Sequence, residues 1–283
     1  MKAFGLILLA ASAPGLSTAI ELQPNTLRAW DEYVRNADSG MNLRINGQRP
    51  FLWTDETPGR GSRLQRGEIL VAPVTGRGTH SVANGLIHDW VGAAFIPNAT
   101  IGSLLTVIHD YDRYKEIYKP VVAESQMLAC TATEQRFSMV WRRRVLLINA
   151  AMEGQYQSHD FVVDGRRGYS IVTTTQVQEI ESDGRSGERL LPPGQGNGFI
   201  WRMHSIARYE ERDGGTYLEL EAIALTRDIP FSLRWLVTPV VNHLSIGSLT
   251  TSLSQTRDAV IQSGAGPLPA RPQAGAFAEC RSY

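Results

Sequence analysis

The sequence predicts an α+β protein. A curved antiparallel sheet of about six to seven strands grips a long C-terminal helix, and a helical extension precedes the sheet. Three observations predict this. From Val121 to Leu225, strand-like segments follow one another with only Gly-rich or charged turns between them, and strands in direct succession pair antiparallel. Residues 98–120, NATIGSLLTVIHDYDRYKEIYKP, insert helical spacing between two strand-like stretches. From Phe231 to about Ile261 one apolar stripe runs through Leu236, Val240, Leu244 and Leu253. A sheet of that width has a face that must be covered, and the last helix is the obvious cover.

The elements follow in order. Residues 1–19 combine Lys2, an apolar run from Ala3 to Ala13 and the small residues Ser17-Thr18-Ala19. That pattern predicts a secretory signal peptide cut near Ala19, hence export to periplasm or medium. Residues 20–84 form an N-terminal extension. Within it PNTLRAWDEYVRN, Pro24 to about Asn36, predicts a helix opened by Pro24 and stopped near Gly40. Residues 54–67 read as a polar loop, and Glu68 to Val74 as a short strand. Leu86 to Ile96 reads as its partner.

The 98–120 segment then offers Asn98 or Thr100 as N-cap and Pro120 as its end, as one helix or as two with a break near Asp110. Strands are expected at 122–133, 137–145, 147–156, 168–180, 199–210 and 216–226, with Asp213-Gly214-Gly215 as a strong hairpin turn. Pro239 and Gly247 interrupt the last helix. Residues 263–283, rich in Gly, Ala and Pro, read as a flexible tail.

Composition excludes several classes. Lys+Arg 28 equals Asp+Glu 28, so no global field attracts nucleic acid. The chain carries no G-x-S-x-G elbow, no P-loop and no G-x-G-x-x-G between a strand and a helix. His109-Asp110 and His159-Asp160 resemble metal-ligand dipeptides, yet no second spaced set accompanies either, so no metal and no cofactor is predicted. Cys130 and Cys280 are too few for a structural zinc site. Export permits a bridge between them, while the tail around Cys280 favours two free thiols.

Three stretches carry a resemblance: NATIGSLLTVIHDYDRYKEIYKPVVAESQML, GFIWRMHSIARYEERDGGTYLELEAIALTRDIP and WLVTPVVNHLSIGSLTTSLSQTRDAV. Over residues 85–262 their order resembles the helix-grip fold of the START-like lipid-binding superfamily, which includes polyketide-cyclase-like proteins. The resemblance implies binding or transfer of a hydrophobic or amphipathic small molecule, such as a lipid, isoprenoid or polyketide-like compound, in an internal cavity. It leaves transient membrane contact and oligomeric state open. Residues 20–84 depart from the minimal family pattern.

Strand alternation then assigns candidate residues. Trp201, Met203, Ser205, Ala207 and Tyr209 share one face of their strand, and Leu218, Leu220, Ala222 and Ala224 share one face of the next. The small residues make this face the candidate interior. A ligand there would touch Trp201, Met203, Ala222 and Ala224, the helix residues Leu236, Val240, Leu244 and Gly247, and Tyr114 and Tyr118 at a rim. The tyrosines equally suit plain packing of their helix on the sheet. On the other face Arg208 would pair with Glu219 as an exposed ion pair. Turned inward, Arg202, Glu221 and Arg227 would instead contact a polar head group. Two rival functions stay in view. A cyclase- or dehydratase-type enzyme would draw on Glu221, Arg202, His204 and Tyr114, and a non-catalytic envelope protein would show a filled interior.

Overall fold

A computed structural model describes residues 21–131, 133–145, 148–181, 187–228 and 231–264, and all of their side chains except those of 144–145, 148–149 and 231–240. The predicted signal peptide and nearly all of the predicted tail lie outside these residues. The protein is α+β, with ten strands in one sheet: β1 Leu70–Pro73, β2 Thr79–Val82, β3 Gly85–Pro97, β4 Val122–Cys130, β5 Gln135–Val145, β6 Ile148–Asp164, β7 Arg167–Glu181, β8 Arg189–Leu190, β9 Arg202–Arg212 and β10 Gly215–Arg227. The order is β1-β3-β10-β9-β7-β6-β5-β4, with β2 also on β3 and β8 on β7. The seven long strands form the predicted sheet, and every pairing is antiparallel.

Turn chemistry sets the registers. Asp213 (φ 56) and Gly214 (φ 76) adopt the left-handed conformation that a two-residue hairpin needs. This places Leu218 opposite Tyr209 and Ala222 opposite Ser205. β6 extends well beyond the expected end at Tyr156. Its second half, QSHDFVVD, alternates too weakly to read as a strand, yet it pairs with β7 through Asp164.

Helix α1 (Pro24–Ile45) runs past the expected stop at Gly40. Packing decides this. Met41 is buried, and Arg44 donates to the Pro50 carbonyl (2.6 Å) and to Glu56 (2.7 Å), which offsets the roughly 1 kcal/mol cost of a helical glycine. The expected loop 54–67 contains a 3₁₀ turn at Trp53–Glu56 and helix α2 (Arg60–Gln65). The 98–120 segment is broken, as one of its two readings had it. Helix α3 (Ile101–Ile108) starts at Thr100, whose side chain and Ser103 form a reciprocal cap. After a 3₁₀ turn at Tyr111–Arg113 comes α4 (Tyr114–Ile117). Helix α5 (Phe231–Gly264) closes the fold and packs on β3, β1 and β10. No described helix is long and apolar enough to cross a membrane. Cys130 is disulfide-bonded, which corrects the expectation of free thiols; Cys280 lies outside the described residues.

The N-terminal extension both widens and covers the sheet. β1 and β2 lie along the outer edge of β3. Trp30, Met41, Phe51, Leu52, Trp53 and Leu64 bury against the odd-numbered residues of β3 and β10. That face also holds charge. Arg208 donates to Glu219 (3.2 Å) and Glu221 (2.8 Å), and Glu219 accepts the backbone N–H of Trp53 (2.8 Å) and of Thr54 (2.7 Å). The Arg208–Glu219 pair, expected at the surface, is thus sealed, with Arg208 at 1% and Glu219 at 0% exposure. Alternation placed the two residues on one face correctly but is blind to what covers that face.

Candidate functional site

The two faces of the sheet differ in how they are closed. On the face under α1, Ile206, Arg208, Glu219, Ile223 and Leu225 are fully buried. On the opposite, concave face Tyr209 and Leu218 are buried in a core with α3 and α5, while Met203, Ser205, Ala207, Leu220, Ala222 and Ala224 remain partly accessible. These residues sit in central strands, where a seated cover would exclude solvent. The cause is partly side-chain size. Serine and alanine at 205, 207, 222 and 224 cover less of the sheet than Leu or Phe would. It is partly the seat of α5, whose Leu249 and Leu253 pack onto Gly92 of β3, toward one side of the sheet.

The far side of the concave face is aromatic. Tyr111 stacks on Phe137 (centroids 4.0 Å apart) and Phe137 on Tyr156 (4.9 Å), with Trp141 beyond (6.3 Å). Tyr114 and Tyr118 meet edge to face at 4.8 Å. Burial raises the hydroxyl pKa of Tyr111, Tyr114, Tyr118 and Tyr156, so all four stay neutral donors. Tyr114 donates to the Ile108 carbonyl, and the Tyr118 hydroxyl lies 2.9 Å from Thr256 on α5. The tyrosine row is therefore a packing face first, and Tyr118 also ties the aromatic side of the sheet to the closing helix.

A second tie joins Arg143 of β5 to Ser248 of α5. Thr256 and Ser248 are eight residues apart on α5, about 12 Å along a helix. Between these ties, on the same side of α5, lies the small Ser252. Gly247 leaves open space where a Cβ would sit.

The structure also joins residues that sequence reading kept apart. His109 at the end of α3 and Asp160 on β6, one from each suspected dipeptide, lie 3.0 Å apart, an ion-pair distance without hydrogen-bond alignment. Ser170 donates to Asp160. Burial alone would raise the Asp160 carboxyl, but His109, Ser170 and Gln135 outweigh it and hold the group below its usual range. Adjacent residues point apart on a strand or helix, so neither dipeptide could act alone; only the fold makes the pair. Among the described residues no three His, Cys, Asp or Glu side chains converge as a metal site.

The predicted ligand residues are distributed as follows. Met203, Ala222 and Ala224 lie on the accessible face. Tyr114 and Tyr118 flank it. Leu244 is half-buried on α5, and the side chains of Leu236 and Val240 lie outside the described residues. Trp201 departs from its expected face: β9 begins only at Arg202, and Trp201 packs with Trp30, Ile223 and Leu225 under α1. The charged trio departs as well. Glu221 pairs with Arg208 on the sealed face. Arg202 sits beside α1, its pKa lowered by burial and partly restored by Asp31. Arg227 is exposed at the end of β10. None shares a face with Ala222, because each is an odd number of strand positions away from the small residues.

No family model matches the chain, and no curated protein matches it. Among solved structures it is similar to a STAR-related lipid transfer protein from Xanthomonas axonopodis, with 17% identity over 69% of this chain and 99% of that one and a TM-score of 0.43. It is similar to human STARD10, with 11% identity over 68% and 77% and a TM-score of 0.41. It is similar to the Zhui aromatase/cyclase from Streptomyces sp. R1128, with 14% identity over 64% and 99% and a TM-score of 0.41. What those proteins carry or convert belongs to them.

Proposed function

We propose that the chain binds a hydrophobic or amphipathic small molecule between the concave face of the sheet and helix α5, without catalysing a reaction on it. The observation that carries this reading is the accessibility of Met203, Ser205, Ala207, Leu220, Ala222 and Ala224 in the middle of a sheet whose other face is sealed. Apolar surface left open to water costs about 25 cal/mol per Å², and a ligand would remove that cost. Binding is favoured over catalysis because the candidate catalytic groups do not face the space. Glu221, Arg202 and His204 point toward α1, and the Tyr114 hydroxyl is spent on a backbone carbonyl.

The test is native mass spectrometry of purified protein before and after organic extraction, together with Ala222→Phe, which fills the space. Support is a bound species lost on extraction and lost in Ala222→Phe while circular dichroism stays unchanged. A chain that repeatedly emerges empty, and that Ala222→Phe unfolds because the core is already solid, would sink the reading. Export with cleavage near Ala19 is part of the proposal. It predicts a mature N-terminus at Ile20 in the exported fraction, read by intact mass.

A further inference from the structure

Arg143 is the one described cation whose place on the concave face and lack of a counter-ion go together. It lies on the same face of β5 as Phe137 and Trp141, in an unbroken register with β6. It is half-buried, and its guanidinium donates to the Ser248 hydroxyl of α5. Ser248 in turn donates to the Leu244 carbonyl at 2.7 Å, so its oxygen is a neutral acceptor already embedded in the helix. Among the described residues no carboxylate lies within ion-pair distance of Arg143. On the same face two strands over, in register with Met152 and Trp141, Glu179 is taken: it accepts the backbone N–H of Asn197 (2.7 Å) and Phe199 (3.0 Å). Two positions away on the same strand face, the buried Trp141 indole N–H also has no acceptor.

A guanidinium has five N–H donors, and a half-buried one without an anion is costly. Unpaired donors concentrated at one end of an apolar face call for an acceptor-rich group from outside the chain. Chemistry narrows the class: the planar fork of Arg suits the paired oxygens of a carboxylate or a phosphate monoester, not an ester or an alcohol. Building on the concave-face reading, we infer that the ligand is an amphiphile with an anionic oxygen head group, and that Arg143 is the residue that receives the head. The apolar tail then runs past Trp141 toward the partly accessible Ala207 and Ala222. On binding, Arg143 exchanges its Ser248 contact for the anion, so the head group sits at one of the two ties between α5 and the sheet.

The experiment uses the full chain, stripped of bound lipid. The probes are a fluorescent polyene fatty acid, its methyl ester, and a monoalkyl phosphate of similar chain length as competitor. The expected result is that wild type holds the acid at least about tenfold tighter than the ester, as charge-assisted bonding should give. Arg143→Gln then brings the ratio close to one while leaving the affinity for the ester nearly unchanged. Arg143→Lys retains part of the preference, which guards against a folding defect in the Gln variant. Displacement of the acid by the monoalkyl phosphate assigns a shared oxyanion site; failure to displace narrows it to carboxylates. Equal affinity of wild type for acid and ester overturns the head-group assignment and leaves the concave-face reading standing. So does a preference that survives Arg143→Gln, since another residue would then carry it. Absence of binding by either probe overturns both.

Discussion

Replacing Asp89 by Asn isolates the electrostatic strain in the sealed face. Asp89 lies on β3 at 2% exposure; its Oδ2 accepts from Tyr33 of α1 at 2.8 Å, and its Oδ1 has no partner. Burial, and then the nearby Glu221 charge, push its carboxyl from the usual 3.8 to about 7, against the pull of Tyr33 and Arg208. The sign follows from linkage. A carboxyl whose folded pKa is raised binds its proton more tightly when folded. Wild-type stability therefore falls as pH rises from about 4, where the unfolded chain ionises, to about 7, where the folded chain does, and levels off above that. At about 1.4 kcal/mol per pH unit, the full cost of ionising Asp89 in place is on the order of 4 kcal/mol. Asn keeps an acceptor for Tyr33 and presents an N–H₂ in place of the unpaired oxygen. Asp89→Asn is thus expected to be more stable than wild type by about 2–4 kcal/mol at pH 8 and to show a flatter profile between pH 4 and 7. Urea unfolding read by tryptophan fluorescence checks it, since Trp30 and Trp53 lie in the cover over this face. Equal pH slopes in the two proteins, or a less stable Asn variant at pH 8, would refute the reasoning.

Other perturbations test neighbouring parts of the argument. Arg208→Met should cost about 3–5 kcal/mol in the same assay, because Glu219 and Glu221 lose their buried cation, and adding Glu221→Gln should recover part of that loss. Tyr118→Phe removes the 2.9 Å contact with Thr256 and should cost about 0.5–1.5 kcal/mol in thermal unfolding. Gly247→Ala should stabilise α5 by about 0.5–1 kcal/mol, because the new methyl group meets nothing within 4 Å; loss of ligand in that variant would show that the open space at Gly247 is used.

Local signals carried the fold well where they were strong. The Asp213-Gly214 turn fixed the β9–β10 register, and that register put Ala222 and Ser205 opposite each other on one face. Thr100 was one of two N-cap candidates, and its reciprocal bond with Ser103 is what decides between them. Contacts distant in sequence were not legible. Nothing around Arg208 reveals that residues 30–64 will fold over it, so a buried charge cluster read as a surface pair. The join of His109 to Asp160 depends on where α3 ends relative to β6, which no spacing encodes. Arg143 lies in the charged run WRRRV, where alternation alone cannot say which arginine meets α5. The expected strand began at Phe199, three residues before β9, and Trp201 falls in that overrun, where strand alternation does not set its face.

The two faces of this sheet invert the usual economy of a protein interior. The sealed face contains Asp89, Arg208, Glu219 and Glu221, groups whose burial is costly even when paired. The concave face is lined by small and apolar side chains and stays partly open. A chain under selection for stability alone gains by the opposite arrangement, with charges toward water and alanines enlarged to meet α5. Both departures make sense together if the concave surface is kept for something the chain does not itself supply. The N-terminal extension then has a physical role: it gives the sheet a core on the α1 side in addition to the one that Leu104, Val107, Tyr209, Leu218 and Leu253 form under α3 and α5. A ligand with an anionic head would complete that side twice over, covering the apolar floor and giving Arg143 the partner that Ser248 only half replaces.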